Sequence, residues 1–415
     1  MARIVMKFGG TSVANLDRIR RVSKLVEEEV NAGNEVAVVV SAMSGETNKL
    51  VSFVDELNAD SDVGGALDDE YDSIVSSGEQ VTSGLLAIAL RKRGVKARSW
   101  LGWQIPLRTD MAHSKARIEG IETEVMDPSL KSGTVGVVAG FQGISEDGRI
   151  STLGRGGSDT SAVALAVALK ADRCDIYTDV DGIYTTDPRI ASDAKRLDKI
   201  AFEEMLELAS LGAKVLQTRS VELAMNNNLP IRVLTSFAEE GQDNPGTIVC
   251  NEEETMEERV VSGVAYSRDE AQVTLLRLDD KPGTVAAVCR VMAEANVVVD
   301  MIVQGRSRAE NAANLTFTVG RRDLDKAIAA LEGVKDEIGF ESIKSDSKVS
   351  KVSIVGIGMR SHTGVAQTMF EALAGRGINV EVIATSEIKI SVLIDDEYTE
   401  LAVRALHSAF ELENA

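Results

Sequence analysis

Short apolar runs alternate with amphipathic stretches over roughly the first 250 residues. Ile4–Lys7, Glu35–Ser41, Val135–Ala139, Arg173–Thr178 and Ile231–Leu234 are nearly continuous apolar segments, the pattern of strands buried on both faces. Between them, apolar positions recur at helical spacing over residues 15–31, 66–93, 159–170, 202–210 and 218–227. Alternation of this kind predicts an α/β fold: a largely parallel sheet sandwiched by helices, with ligands gathered beyond the strand ends. The run Asn251-Glu-Glu-Glu-Thr-Met-Glu-Glu-Arg259 has no apolar period and reads as a solvated linker, so residues 1–250 form the first domain and 251–259 the connection. Met1-Ala-Arg-Ile-Val-Met-Lys7 lacks the apolar core of a signal peptide and reads as a strand. No run approaches the roughly 20 apolar residues that a membrane span needs.

Beyond the linker the chain repeats itself. Gly283–Val303 aligns at a constant offset with Gly364–Ala384. Each copy reads as a strand, a glycine-opened helix, two strands and a second helix, a ferredoxin-like βαββαβ unit. The first copy closes with a strand near Ile338–Ile343, whereas the second runs out of chain at a helix over 397–410. The unclaimed strand Val260–Ser267 supplies what the second copy lacks. The first module, 270–345, is therefore expected to be inserted into the second, built from 260–268 and 349–415. The repeat is similar to paired ACT modules, which bind small amino acids at interfaces between modules.

Charge narrows the partners. The chain of 415 residues has 65 acidic against 45 basic residues, a formal net charge of -20. Such a field argues against nucleic acid or an acidic membrane and for a soluble cytoplasmic protein. An anionic substrate then needs a locally positive site, which draws attention to Lys7, Arg155, Arg189 and Lys214. Cys174, Cys250 and Cys289 are widely spaced and show no metal or CxxC pattern, so they read as apolar fillers in a reducing compartment.

Three stretches carry chemistry. In Ser151-Thr-Leu-Gly-Arg-Gly-Gly-Ser-Asp-Thr-Ser161, three glycines let the backbone approach a ligand, and Ser158–Ser161 read as N-cap residues of the helix that follows. A helix dipole aimed at that loop holds anions, and Arg155 adds a planar fork for carboxylate or phosphate. In Arg3-Ile-Val-Met-Lys-Phe-Gly-Gly-Thr-Ser12 an apolar strand ends in a glycine pair. Lys7 precedes the glycines, so this is not a Walker loop, yet the amides of Gly9, Gly10 and Thr11 can form a nest for phosphate oxygens. The plain alternative is a strand-end lysine before a turn. In Asp175–Arg189 a strand breaks into an acidic turn. Asp179-x-Asp181-Gly182 lacks the third ligand position, offset glycine and closing glutamate of an EF-hand, and a nucleotide with its magnesium suits this loop better.

Lys7-Phe-Gly-Gly-Thr-Ser12, Ser76-Ser-Gly-Glu-Gln80, Gly140-Phe-Gln-Gly143, Gly154–Ser161 and Tyr177–Arg189 together resemble aspartate kinase, of the amino-acid kinase superfamily. The resemblance spans the whole chain in order, including the two terminal modules. It implies transfer of the ATP γ-phosphoryl group to the β-carboxylate of L-aspartate. That nucleophile is already ionised at neutral pH, so catalysis is positioning and charge neutralisation. Lys7 is then the contact to the transferring phosphoryl group. Arg155 grips the α-carboxylate, Glu79 meets the α-ammonium group, and Ser41, Thr47 and Ser158 bind substrate. Asp159 orders Lys7 or approaches the metal. Gly9, Gly10, Thr178, Asp179, Tyr184, Arg189 and Lys214 serve the nucleotide. Plainer roles stay open: a helix-start carboxylate for Glu79, a helix cap for Asp159 and an exposed helix lysine for Lys214. No protein metal cage is expected, because magnesium is held mainly by ATP phosphates and water.

The same resemblance implies feedback by lysine, threonine or both, at Asp280, Pro282, Gly283, Ser361, Gly364 and Asn379. Two positions depart from the family pattern: Val298 stands where asparagine is usual, and Gly305 follows Gln304 where the family has Gln-Asn. Neither side chain can hydrogen-bond an amino acid, so the first-copy subsite is expected to be weakened, retuned or unused. Module pairing between chains implies a homo-oligomer, and Met256-Glu-Glu258 resembles the start of a separately translated small subunit. Kinases acting on glutamate, N-acetylglutamate or UMP are the nearest rivals, and a catalytically silent amino-acid sensor is the rival from another class. At this length a fused dehydrogenase is not expected.

Overall fold

The computed structural model describes residues 1–58, 68–212, 215–239, 241–254, 259–307 and 312–414. Lys214 and Met256 lie outside the described residues. The chain divides into two compact units: Met1–Ile183 with Arg196–Ala209 and Lys214–Met256, and Tyr184–Lys195 with Ser210–Ala213 and Glu257–Ala415. Among the described residues no helix is long and apolar enough to cross a membrane.

The first unit is built on eight strands: β1 (Arg3–Phe8), β2 (Glu35–Val40), β3 (Ala97–Trp100), β4 (Val135–Ala139), β5 (Arg173–Thr178), β6 (Lys199–Ala201), β7 (Ile231–Thr235) and β8 (Thr247–Cys250). Their order across the sheet is β6-β8-β7-β5-β1-β2-β4-β3. Strands β1 to β5 and β7 run parallel, and β8 opposes β7. All five apolar runs became sheet strands because each buries both faces: Ile4, Val5, Met6 and Phe8 of β1 are fully buried. Phe8 stacks on Tyr177 of β5 with ring centroids 4.6 Å apart.

Among the helices, α1 (Leu16–Asn31) starts at Asn15, whose side chain accepts the Arg18 amide. The helical pattern over 66–93 is two helices within the described residues, Asp68–Val75 and α2 (Ser77–Lys92). The Ser76 and Ser77 hydroxyls donate to the carbonyls of Ser73 and Ile74 and so compete with the helical ladder at the junction. Helix α3 (Gly157–Ala168) corrects the expected cap. It opens at Gly156 in the left-handed region with no side-chain cap, placing Ser158, Asp159, Thr160 and Ser161 inside the first turns. Ser161 Oγ instead accepts the Phe141 amide and donates to the Gly157 carbonyl. Helix Glu46–Asn58, strands β3, β6 and β8 and a small four-stranded sheet escape the apolar pattern because they are short or half-exposed.

The second unit has one six-stranded sheet from β9 (Gly263–Asp279), β10 (Val299–Ser307), β11 (Ala312–Val319), β12 (Ser342–Val355), β13 (Val382–Thr385) and β14 (Lys389–Asp395), in the order β10-β11-β9-β12-β14-β13. Strand β9 serves both repeats: Gly263–Ser267 pairs with Lys351–Val355, and Ala271–Asp279 pairs with Ala312–Val319. Two separate apolar cores lie under the helices, one with Val288, Met292 and Phe317, the other with Val365, Met369 and Leu406. The expected strand at Ile338–Ile343 begins later, since Lys335–Ile338 is a short helix ended by left-handed Gly339. Helix α4 (Thr284–Glu294) and α5 (Val365–Ala374) open at equivalent glycines, Gly283 (φ 97°) and Gly364 (φ 92°). The last helix, α6, is Thr399–Ala409.

Candidate active site

Because β1, β2, β4 and β5 are parallel and adjacent, the loops that leave their carboxyl ends share one edge of the sheet. Chain order reverses about β1, which has β2 on one side and β5 on the other. That reversal splays the connecting loops apart and opens a crevice. Lys7 projects there from the end of β1, with Nζ 2.5 Å from Asp159 Oδ1, and the two side chains are only 11 and 10 % exposed. Gly9 passes so close that an added Cβ would lie 3.3 Å from Lys7 Nζ, and one on Gly10 would lie 3.1 Å from the Ala42 carbonyl. The glycine pair therefore keeps the backbone tight against the ammonium group.

Glu79 enters from the first turn of α2. Its Oε1 accepts the Ala42 amide at 3.0 Å, directly after Ser41 at the end of β2. Its Oε2 is buried with no hydrogen-bond partner among the described residues. Burial pushes the Glu79 carboxyl up to about 7, against the lowering effect of the Ala42 amide. A buried oxygen without a donor is costly, and a cationic ligand group would relieve that cost. Gly78, which the sequence did not single out, permits this approach: a Cβ there would sit 2.7 Å from Ala42 Cβ. Ser41 on that loop and Thr47 at the start of helix Glu46–Asn58 are both half-buried.

Arg155 is exposed between Gly154 and Gly156, both in the left-handed region (φ 74° and 69°). A Cβ on Gly156 would fall 1.8 Å from Gln217 Cγ, so only glycine fits. Ser158 is buried beside Gly140. The loop is delivered by a hub that sequence reasoning missed. Asp72, fully buried, accepts the Thr152 amide (2.8 Å), the Thr152 hydroxyl (2.5 Å) and the Ser114 amide (3.0 Å), and lies 3.0 Å from His113 Nδ1. Its only sequence signal is an acidic residue at a helix position facing inward. Asp72→Ala leaves these donors stranded and is expected to lower stability by on the order of 3 kcal/mol. Urea unfolding reads this directly, and an unchanged midpoint would contradict it.

Thr178 and Asp179 lie at the end of β5, where the Thr178 hydroxyl donates to Asp179 Oδ1. Tyr184 and Arg189 belong to the second unit, and Arg189 forks onto Asp187 of its own loop at 2.7 Å. Also in that unit, Asp280 is half-buried, whereas Pro282, Gly283, Ser361, Gly364 and Asn379 are exposed, as is Gly305. Val298 is 81 % exposed. The structure thus brings Lys7, Asp159 and Gly9 together, and separately Glu79 with the Ser41 loop.

Residues 2–235 match the amino acid kinase family, and 273–336 and 352–410 each match an ACT domain family. Fold and strand-end site therefore define an amino acid kinase with two ACT domains. An aspartate kinase of Pseudomonas fluorescens (strain SBW25) is 55% identical over 414 residues, 100% of this chain and 98% of the relative. The chain belongs to the aspartate kinase family. The crystal structure of E. coli aspartokinase III in complex with aspartate and ADP (R-state) superposes with a TM-score of 0.80 at 29% identity, covering 98% of this chain and 99% of that one. The same enzyme in complex with lysine and aspartate (T-state) superposes with a TM-score of 0.74 at the same identity and coverage.

Proposed function

We propose that the crevice transfers the γ-phosphoryl group of ATP to the β-carboxylate of L-aspartate, giving 4-phospho-L-aspartate for lysine, threonine and methionine biosynthesis in the cytoplasm. The observation that carries this reading is the buried Glu79 Oε2 without a donor, a seat for the substrate ammonium group. Arg155 takes the α-carboxylate through a bidentate fork, with Ser41, Thr47 and Ser158 hydrogen-bonding the remaining polar groups. Lys7, held straight by Asp159, neutralises charge on the phosphoryl group as it moves. Gly9 and Gly10 offer amides to phosphate oxygens, while Thr178, Asp179, Tyr184, Arg189 and Lys214 hold the nucleotide.

Asp159 is engaged by Lys7, whereas Asp179 is exposed at the end of β5. That donor set fits magnesium held mainly by ATP oxygens and water, beside Asp179. Bound there, the ion neutralises phosphate charge.

The ACT domains serve as receptors for lysine and threonine, with Asp280, Pro282, Gly283, Ser361, Gly364 and Asn379 at the effector sites. Exposed Val298, Ile302 and Val303 on and beside the sheet-edge strand β10 support pairing with a second copy. In-frame initiation at Met256 would give a separate small subunit. The proposed domains are 1–250, 251–259, 270–345 and 260–268 with 349–415, although Tyr184–Lys195 and Ser210–Ala213 group with the second compact unit.

ADP release with Mg-ATP and L-aspartate, alone and with lysine, threonine or both, tests the reading. Aspartate-dependent ADP is expected, with the subsite at Val298 contributing little to inhibition. No aspartate-dependent ADP would overturn the kinase assignment. Effector density seated over Val298 in a co-crystal would overturn the weakened subsite.

A further inference from the structure

His407 lies on α6 and is 1 % exposed, yet its Nδ1 faces two carboxylates: Asp193 Oδ1 and Glu413 Oε2, each at 3.9 Å. The three ligand atoms all lie within 4.8 Å of one another, and this is the one such cluster among the described residues. They come from three separate places in the second unit: the Tyr184–Lys195 segment, α6 and the turn that follows it.

Two observations bear on what sits between them. First, the imidazole is oriented from behind. Thr185 Oγ1 lies 3.0 Å from His407 Nε2 and also accepts the Lys195 amide at 3.0 Å. Where Nε2–H donates to that hydroxyl, the Nδ1 lone pair points at the carboxylates, the tautomer that a metal-binding histidine needs; a hydroxyl that donates to Nε2 instead places N–H on Nδ1. Second, Glu413 Oε2 is a buried oxygen with no hydrogen-bond partner among the described residues. In the Nε2–H tautomer the Nδ1 lone pair faces two carboxylates, a repulsion that a proton or a bound cation relieves. Distances of 3.9 Å are too long for hydrogen bonds and slightly open for a bound ion. Tetrahedral zinc with bonds of about 2.0–2.1 Å sets its ligand atoms roughly 3.4 Å apart, so the two His407 gaps close by about half an ångström. The carboxylate oxygens, within 4.8 Å of each other, close by no more than about 1.4 Å.

We propose that Asp193, His407 and Glu413 form a divalent transition-metal site. One neutral imidazole with two carboxylates is a mixed N/O set that suits Zn2+, Co2+ or Mn2+. The Asp193 side chain is 56 % exposed, which leaves room for water to complete the coordination. The ion pins the Tyr184–Lys195 segment and the C-terminal turn onto α6. That segment already docks there: Val264 N–H donates to the Thr185 carbonyl at 2.7 Å, and Ile190 packs on the apolar core beneath. The proposal stands on geometry alone and is independent of the catalytic reading.

Co2+ titration of the chelator-stripped full chain, without nucleotide, is the test. Wild type is expected to bind one Co2+ with visible ligand-field bands, and Zn2+ to raise its Tm. Asp193→Asn combined with Glu413→Gln keeps the shapes of two partly exposed side chains, so the fold is retained. The double variant is expected to lose affinity by at least about 100-fold and to show no Zn2+-dependent Tm shift. Absence of saturable Co2+ binding by the wild type overturns the proposal. So does binding that the double variant leaves unchanged, which would place the metal on another histidine or a cysteine.

Discussion

Replacing Lys7 by methionine is expected to lower kcat by on the order of 10²–10³ or more. Methionine keeps the length and packing of the side chain and removes the charge. What is lost is a cation fixed before the substrate arrives, 2.5 Å from Asp159 and largely withdrawn from water. In such an environment the interaction with developing phosphate charge is stronger than in bulk solvent, and no solvent must reorganise to provide it. The variant also leaves the Asp159 carboxylate buried and alone, which costs about 3–5 kcal/mol when a buried pair loses one partner. Loss of activity must therefore be separated from loss of fold. Lys7→Met with Asp159→Asn removes both charges and is expected to recover the wild-type Tm while remaining as inactive as Lys7→Met alone. A folded Lys7→Met protein with kcat near wild type would end the assignment of Lys7 to the phosphoryl group.

Glu79→Gln is expected to reduce kcat/KM for aspartate by about 10²–10³, the equivalent of about 3–4 kcal/mol for removing one charge of a desolvated pair. Oε1 of the glutamine can still accept the Ala42 amide, so the loop stays in place. The pH dependence supplies a signature that a structural role would not. In the empty site the carboxyl is pushed up to about 7 by burial. Below that pH it is protonated and cannot meet an ammonium group. The profile of kcat/KM for aspartate should therefore fall on its acid side near pH 7, and this limb should vanish in Glu79→Gln.

Stability gives the opposite sign. The folded pKa lies above the unfolded value, so the stabilising contribution is complete below the unfolded pKa and is lost as pH rises through about 7. Glu79→Gln removes that loss. The unliganded variant is expected to be more stable than wild type at pH 8, by about 1.4 kcal/mol for each unit of the upward shift. A variant that is less stable at pH 8 and retains the acid limb would assign Glu79 to the scaffold.

Much of this protein is legible in one dimension. The apolar runs that became β1, β2, β4, β5 and β7 are read correctly because a strand buried on both faces must be apolar throughout. The glycine caps at Gly283 and Gly364 show in the repeat because a left-handed residue admits few alternatives. Lys7, Arg155 and Asp159 stand out because charged residues beside glycine clusters are unusual at strand and helix ends. Other features were hidden. Asp72 lies 80 residues from Thr152, and nothing local marks it as the hub of the Arg155 loop. Gly78 looks like an ordinary helix defect until Ala42 is placed against it. The cap of α3 was misread because Ser158 and Asp159 are good caps by type, but Gly156 turns the chain first and the hydroxyls find other partners.

The sequence by itself determined the parallel sheet, the tandem ACT repeat and the family, since each rests on local periodicity or on residues held together by spacing. Only the tertiary structure decided which polar groups meet. Glu79 reaches the Ser41 loop, Thr185 backs His407, and Tyr184–Lys195 joins the unit of the ACT domains although it lies within the first 250 residues. Hydrogen bonds and ion pairs act over a few ångströms of space, whereas the chain records only order along its length. Their partners are settled once the apolar cores have closed.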